Sequence, residues 1–164
     1  MRYQRICEAR FLDRPNRFIA RVQLEGCEET VHVKNTGRCA ELLVPGAAVW
    51  MEASDNPARK TRFSLVTVEK MGRLVNIDSQ APNALVAEWL AAGGVLPGLP
   101  GPVTQVRREA KLGDSRIDFL LTAEGQPVFA EVKGATLEQG GAAYFCSCSC
   151  SKVSFLGVYR FSAA

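Results

Sequence analysis

The sequence contains two strand-like segments, Arg116-Ile117-Asp118-Phe119-Leu120-Leu121 and Val128-Phe129-Ala130-Glu131-Val132-Lys133. The residues between them, Glu124-Gly125-Gln126-Pro127, have the composition of a tight turn, so the segments are predicted to form a hairpin. If Glu124-Gly125 is a two-residue turn, Ala123 lies opposite Gln126 and Asp118 lies opposite Glu131, on the face that Lys133 shares. A three-residue loop without a compensating bulge puts Asp118 on the other face.

Asp118, Glu131 and Lys133 are the candidate catalytic residues of this hairpin. Two carboxylates supply the hard oxygen ligands that Mg²⁺ or Mn²⁺ prefers, and such a metal generates hydroxide and stabilises charge on a phosphate. A lysine two residues from a ligand can orient the attacking water or hold the phosphate charge. Glu109 is a candidate third carboxylate ligand. The Asp-x12-Glu-x-Lys spacing is a loose pattern, and the alternative is a charged stripe that faces solvent.

The residues before this hairpin predict a small β-barrel. Alternating apolar and polar residues predict strands over 5–12, 18–24, 30–33, 48–52, 63–69 and 74–77. A short helical turn is expected over 38–43. Five or more short strands with tight turns favour a barrel or sandwich, and the OB-type barrel is the natural candidate.

The pattern of apolar residues changes at Pro82. From Asn83 to Leu90 the apolar residues have helical spacing, Pro82 suits the first turn, and Gly93-Gly94 suits the C-terminal cap. We therefore expect a barrel domain over 1–80 and a second domain over 81–145, followed by an aberrant tail over 146–164.

Charge alone does not indicate a partner, because 20 basic residues stand against 17 acidic ones. The basic residues are nevertheless clustered, near the N-terminus, over 59–62 and over 107–116. A basic stripe can neutralise nucleic-acid phosphates, and the alternative is an arginine-rich solvated surface. The sequence contains no apolar run of about 18 residues, so no membrane span is predicted. The charged N-terminal residues do not resemble a secretory signal, so the cytoplasm is the expected compartment.

Several blocks of the sequence resemble the sugar fermentation stimulation protein A family. They follow the family's order between about Phe11 and Phe145 and comprise 32–46 (HVKNTGRCAELLVPG), 56–61 (NPARKT), 76–83 (NIDSQAPN), 115–119 (SRIDF) and 131–137 (EVKGATL). The resemblance implies an α+β chain with an N-terminal OB-like domain and a restriction-endonuclease-like α/β domain of the Asp…Asp/Glu-x-Lys superfamily. It also implies DNA binding with little sequence specificity and a role in regulating sugar metabolism, such as that of maltose.

The resemblance also assigns residues. By position, Asp118, Glu131 and Lys133 match the superfamily's metal-binding and water-orienting residues, and Glu109 matches an acidic residue on a helix. The polar loop of the N-terminal block is expected to contact phosphate through backbone N–H groups and Arg38. The candidate DNA-binding residues are Lys34, Asn35, Thr36, Arg38, Arg59, Lys60, Arg62 and Arg116.

After Phe145 the sequence departs from the family pattern and continues as Cys146-Ser147-Cys148-Ser149-Cys150. We interpret this change as a truncation or a reading-frame shift. The alternative is a soft-metal site, but structural zinc sites need wider spacing and a second ligand pair. The second domain is then C-terminally incomplete, and it lacks the family's C-terminal helices and strands, which would help to cover its sheet.

Three functions are compatible with these features. The first is a DNA-binding protein with little sequence specificity, and the second is a nuclease that uses Mg²⁺ or Mn²⁺ at Asp118, Glu131 and Lys133. The third is an inactive truncated fragment.

Overall fold

The computed structural model describes residues 1–99, 101–139, 142–144 and 154–157, with side chains up to residue 136. The chain divides into two units, one built mainly of Arg2–Gln80 and the other mainly of Ala81–Ala135. In chain order the elements are β1 (Ile6–Asn16), β2 (Ile19–Leu24), β3 (Cys27–Val33), β4 (Ala48–Ala53), β5 (Phe63–Lys70), β6 (Arg73–Asn76), α1 (Ala81–Ala91), β7 (Val103–Leu112), β8 (Ser115–Ala123), β9 (Gln126–Gly134), β10 (Leu137–Gln139), β11 (Ala142–Tyr144) and β12 (Ser154–Gly157).

The first unit is a closed, OB-like barrel of the five strands β1 to β5, with the sixth strand, β6, paired to β5. Its sheet has the order β3-β2-β1-β4-β5-β6, and parallel pairing of β3 with β5 closes the barrel. The closing pairs are His32 with Ser64 and Val33 with Leu65. Strand β1 pairs with both β2 and β4, and register shifts near Asp13 bend it between the two partners.

Inward-facing apolar residues fill the barrel. Alternate residues of β2 and β3 are fully buried, among them Ala20, Val22 and Val31. Met51 and Leu65 from β4 and β5 pack into the same core. Burial of such side chains contributes about 1.5–3 kcal/mol each, and the alternation along β2 and β3 fixes the register of that pair.

The second unit packs α1 against one face of a four-stranded sheet of order β12-β9-β8-β7. Strands β7, β8 and β9 are antiparallel, whereas β12 runs parallel to β9. The core contains Leu90 of α1 and the sheet residues Phe119 and Leu121. The helix is followed by Gly93, which has a left-handed φ of 84° and provides the predicted C-terminal cap.

The structure confirms most of the predicted elements. The six N-terminal strands, the helix and the β8–β9 hairpin are present, and a single turn at 39–43 is held by hydrogen bonds from Leu42 N and Leu43 N to Cys39 O. Strand β7 was not predicted. Among the described residues, no helix is long and apolar enough to span a membrane. The Cys146-Cys148-Cys150 segment lies outside the described residues.

Candidate functional site

A two-residue turn sets the register of the β8–β9 hairpin. Ala123 pairs with Gln126, and the pairing continues to Phe119 opposite Ala130. Glu124 and Gly125 have φ values of 47° and 74°. Positive φ at both turn residues matches the right-handed twist of the strands. Of the two turn lengths that the sequence left open, the two-residue turn is the one that forms.

This register brings Asp118, Glu131 and Lys133 to one face of the sheet. Ile117, Phe119 and Val132 are buried on the opposite face, so strand alternation directs the three polar side chains away from the core. Their side chains are half-buried, and Lys133 Nζ forms an ion pair with Glu131.

Asp118 is held in place by donors on two different elements. The amide Nδ2 of Asn83, in the first turn of α1, donates to Asp118 Oδ1 at 2.8 Å. The backbone N–H of Val132 donates to Asp118 Oδ2 at 2.8 Å. Phe119 with Ala130 is the last pair of the β8–β9 ladder. Just beyond this pair, the Asp118 carboxylate accepts the hydrogen bond from the Val132 N–H. Both carboxylate oxygens are oriented by fixed N–H groups.

Pro82 and Gly134 bring α1 close to this end of the sheet. A Cβ atom at Gly134 would lie 2.9 Å from Cγ of Pro82, so a residue larger than glycine does not fit without a shift. Because Pro82 precedes Asn83, the contact helps to position the amide that binds Asp118.

The donor chemistry of this site fits a hard divalent cation. Each Asp118 oxygen keeps a further lone pair after accepting one hydrogen bond, and Glu131 has a second carboxylate oxygen beyond the one facing Lys133. Mg²⁺ is usually bound through one or two carboxylates, with water and substrate phosphate as the other ligands. Within the described residues, no group of three or more His, Cys, Asp and Glu side chains is arranged to hold a metal.

Glu109 lies on strand β7 and not on a helix, which corrects the placement that the resemblance implied. The pairs Arg108 with Phe119 and Ala110 with Ile117 flank it, so it lies across from Asp118. Its φ of 51° is unusual for a non-glycine strand residue. Its carboxylate faces Arg116 Nη1 at 3.4 Å, and both side chains are exposed.

A second polar site lies on the barrel, in the loop of residues 35–38 that follows β3. The Arg14 guanidinium donates to four carbonyl oxygens, those of Arg17, Asn35, Gly37 and Arg38, at 2.5–2.8 Å. The Asn35 side chain also accepts a hydrogen bond from Gly37 N. These bonds give the 35–38 loop one defined conformation.

The 35–38 loop forms one wall of an open cleft of about 520 Å³, here called the barrel cleft. Phe11, Leu43 and Pro45 supply apolar lining, whereas Arg17 and Arg38 supply cationic lining. Both arginines are exposed, and none of the described carboxylates pairs with either of them. The guanidinium of Arg17 lies 4.8 Å from the centroid of the Phe18 ring.

The other predicted DNA-binding residues lie in different surroundings. Lys60 is exposed, whereas Arg59 donates to Ser64 Oγ at 3.0 Å. Arg62 pairs with Glu29 at 2.9 Å, and Arg116 pairs with Glu109. Thr36 is exposed and lines the barrel cleft. Arg59, Arg62 and Arg116 therefore each have a partner within the chain.

Lys34 takes part in a buried network. Its ammonium lies 2.8 Å from Asp78 Oδ2, and the Asp78 side chain has no exposed surface. Tyr3 donates to the same carboxylate at 3.3 Å. Burial and the nearby Asp78 charge raise the pKa of Tyr3 to about 12, although a hydrogen bond from Asn76 opposes this. Burial, together with the charges of Arg59 and Lys34, lowers the pKa of His32.

The structure gives three residues of these sites roles that the sequence analysis did not predict. Asn83 binds Asp118, Arg14 organises the 35–38 loop, and Asp78 neutralises Lys34. Asn83 and Asp78 stood inside blocks that resemble the family, and Arg14 stood inside a basic cluster. None of those local signals identifies a partner 21 to 44 residues away.

Two family models match the chain. The model described as "SfsA N-terminal OB domain" matches residues 12–77, and the model described as "Sugar fermentation stimulation protein RE domain" matches residues 80–151. The second match continues past Phe145, where we expected the resemblance to end.

Bacterial relatives described as sugar fermentation stimulation protein homologs are similar along most of the chain. Those of Clostridium beijerinckii and Ruminiclostridium cellulolyticum are each 48% identical over 145 residues, which cover 88% of this chain and 62% of the relative. The chain thus spans about three fifths of these relatives' length. The solved structure of Pyrococcus furiosus SfsA in complex with Ca²⁺ superimposes with a TM-score of 0.77 at 28% identity, covering 93% of this chain and 64% of that one.

Proposed function

Because the chain belongs to the sugar fermentation stimulation protein family, we propose that it binds DNA with little sequence preference. The observation that carries this proposal is the pair of exposed arginines, Arg17 and Arg38, beside a loop that Arg14 holds in one conformation. Because the loop backbone is already ordered, binding does not have to order it. Cations that neutralise phosphates release counterions without reading the bases. A contribution to the regulation of sugar metabolism belongs to the same proposal.

The salt dependence of DNA affinity tests this function. We expect the affinity of the chain for mixed-sequence duplexes to fall linearly with salt on a double-logarithmic plot. Arg38→Gln is expected to weaken binding equally for all sequences and to reduce the slope by about one. Arg10→Gln is the matched control, because Arg10 is also exposed but faces Glu8. Equal slopes for Arg38→Gln and the parent chain would contradict a phosphate contact at Arg38.

We propose as a second function the cleavage of phosphodiester bonds with Mg²⁺ or Mn²⁺ at Asp118, Glu131 and Lys133. The observation that favours it is the pair of carboxylates on one face of the β8–β9 hairpin, with Asp118 oriented by Asn83 and Val132. The relation to an archaeal protein solved in complex with Ca²⁺ adds support for a divalent-cation site.

In this proposal each residue has a separate role. Asp118 and Glu131 would hold the cation, which when bound neutralises phosphate charge and lowers the pKa of a water molecule. Asn83 and Val132 N–H keep Asp118 from rotating, so that its free lone pairs have a fixed direction. Lys133, next to Glu131, has three N–H donors, of which those not facing Glu131 can orient a water or a phosphate oxygen. Glu109 would add a carboxylate only after its ion pair with Arg116 opens.

Cleavage of supercoiled plasmid tests the second function. With Mg²⁺ or Mn²⁺ the purified chain is expected to nick the plasmid, and Lys133→Met is expected to lower the rate about 100-fold or more, as loss of a charge-stabilising donor does. Lys111→Met is the control, because Lys111 is an exposed lysine on β7. Plasmid that stays intact with every divalent cation would refute cleavage by this chain.

Combining the two assays separates both functions from an inactive fragment. Asp118→Ala is expected to retain salt-dependent DNA binding if the barrel carries the affinity. A chain that neither binds nor cleaves DNA would favour the interpretation as an inactive fragment.

A further inference from the structure

We propose that the barrel cleft holds one unpaired nucleotide of a single DNA strand, so that the chain prefers single-stranded or locally opened DNA to intact duplex. This inference rests on the proposed DNA binding and specifies the form of DNA that is bound. It follows from the size, the lining and the charge of the cleft.

The cleft has the dimensions and lining of a small-ligand site. Its volume of about 520 Å³ lies within the usual range for ligand pockets, which are mostly apolar with a few polar groups. Among the apolar lining residues Pro45 is exposed, whereas Phe11 and Leu43 belong to the barrel core and present little surface to the cleft. A planar apolar face is what a nucleic-acid base presents once it is unstacked, whereas an intact duplex presents phosphates and base edges.

The charge of the cleft complements a phosphate. Asp13 is the one carboxylate of the lining, and it is paired with Arg21. A hydrogen bond from the Arg21 guanidinium, followed by its charge, holds the pKa of Asp13 below its usual value, so Asp13 stays ionised and neutralised. Arg14 is engaged with backbone carbonyls. Arg17 and Arg38 therefore provide the cationic groups for an anion at the rim.

Apolar and cationic residues line the same cleft, and a nucleotide needs both. The base would occupy the apolar side while its phosphate faces Arg17 and Arg38. The Arg17 guanidinium, over the ring of Phe18, gives a flat cationic surface on which a neighbouring base can stack. Stacking surfaces combined with cationic groups are the usual means of binding single strands without sequence preference.

Ala40 offers a direct test, because it is exposed and lines the cleft. Ala40→Leu adds volume to the cleft without changing charge. Ala91→Leu is the matched control, since Ala91 is an exposed alanine at the end of α1. Fluorescence anisotropy would compare a labelled oligothymidylate of about 12 nucleotides with a labelled duplex of equal length, and thermal unfolding would verify that each variant is folded.

We expect the single strand to bind at least about tenfold more tightly than the duplex. Ala40→Leu should weaken single-strand binding at least about fivefold and leave duplex binding unchanged, whereas Arg38→Gln should weaken both. Ala91→Leu should change neither.

Three outcomes would overturn the inference. Equal affinities that Ala40→Leu leaves unchanged would reject the nucleotide site while the proposed DNA binding stands. Absence of binding to either DNA would reject both proposals. Competition by free thymidine monophosphate at the same nucleotide concentration as the oligonucleotide would show a site for free nucleotides and reject the requirement for a strand.

Discussion

Asn83 Nδ2 donates a 2.8 Å hydrogen bond to Asp118 Oδ1 and joins the first turn of α1 to strand β8 across 35 residues of chain. The Val132 N–H binds the other carboxylate oxygen. Asp118 therefore has a defined orientation in the protein by itself, before any ligand binds. Such preorganisation is what a metal ligand or catalytic carboxylate requires, because the cost of ordering is met during folding.

Replacing Asn83 by aspartate should make the stability of the second unit depend more strongly on divalent cations than that of the parent chain. Asn83→Asp removes a donor and places a second negative charge beside Asp118, so the free energy of unfolding should fall by about 1–2 kcal/mol in the presence of a chelator. Mn²⁺ should restore it, because a cation screens both carboxylates. Asn83→Leu, which adds no charge, should lose similar stability and recover less of it in Mn²⁺, because only Asp118 and Glu131 remain to bind the cation. Urea denaturation measures both effects, and the absence of any Mn²⁺ response in both variants would contradict a cation site here.

At position 109, asparagine should give a more stable chain than glutamine. Its φ of 51° is disfavoured for glutamate, whereas asparagine tolerates this region. Relief of the strain is worth up to about 1 kcal/mol, and loss of the exposed pair with Arg116 costs at most about the same. Glu109→Gln is the control that removes the charge and keeps the strain. Thermal unfolding should rank Asn above Gln. Equal melting temperatures would show that the backbone at this position carries no strain.

The sequence predicted the parts of the site that depend on neighbouring residues. The Glu124-Gly125 turn and the alternation of β8 and β9 are local signals, and together they determine that Asp118 and Glu131 share a face. Asn83 could not be assigned in this way, because its partner is distant in the sequence. The same holds for Arg14, whose hydrogen bonds define the 35–38 loop.

Strand β7 and the basic residues show a second limit of prediction from the sequence. From Thr104 to Glu109 all residues of β7 are exposed, so no alternation of apolar and polar residues predicts a strand there. The segment is a strand only because it pairs with β8. Lys34, Arg62 and Arg116 were chosen for their charge. Each has an acidic partner in the structure, and such pairing is a property of the fold.

Gly134→Ala should loosen the contact between α1 and β9. The added methyl would lie 2.9 Å from Pro82 Cγ, and overpacking of this kind costs about 1–3 kcal/mol. Pro82→Ala removes the obstructing atom, so the double variant should recover much of the loss. A double-mutant cycle from denaturant unfolding measures this coupling. Strictly additive effects of the two substitutions would show that the contact does not limit packing.

Lys34→Met should destabilise the barrel rather than act on DNA binding alone. It leaves the fully buried Asp78 carboxylate without its cation, a change that costs about 3–5 kcal/mol when nothing else compensates. The hydrogen bonds from Tyr3 and Gln80 to Asp78 favour the lower end of this range. Lys60→Met, at an exposed lysine, should stay within about 0.5 kcal/mol of the parent chain. Equal stabilities of the two variants would contradict a structural role for Lys34.

The stability of the barrel should fall between about pH 10 and pH 12 because of Tyr3. Its pKa in the folded chain is raised from 10.0 to about 12, chiefly by burial and then by the charge of Asp78. In this interval the unfolded chain releases the phenolic proton while the folded chain keeps it, so the unfolded state gains free energy of ionisation that the folded state lacks. The contribution of Tyr3 is therefore fully present below the unfolded pKa and is lost as the pH rises to the folded one. Tyr3→Phe cannot ionise, so urea unfolding at a series of pH values should show a steeper decline for the parent chain than for this variant. Because all other titrating groups are common to both proteins, parallel curves across the interval would contradict a raised pKa at Tyr3.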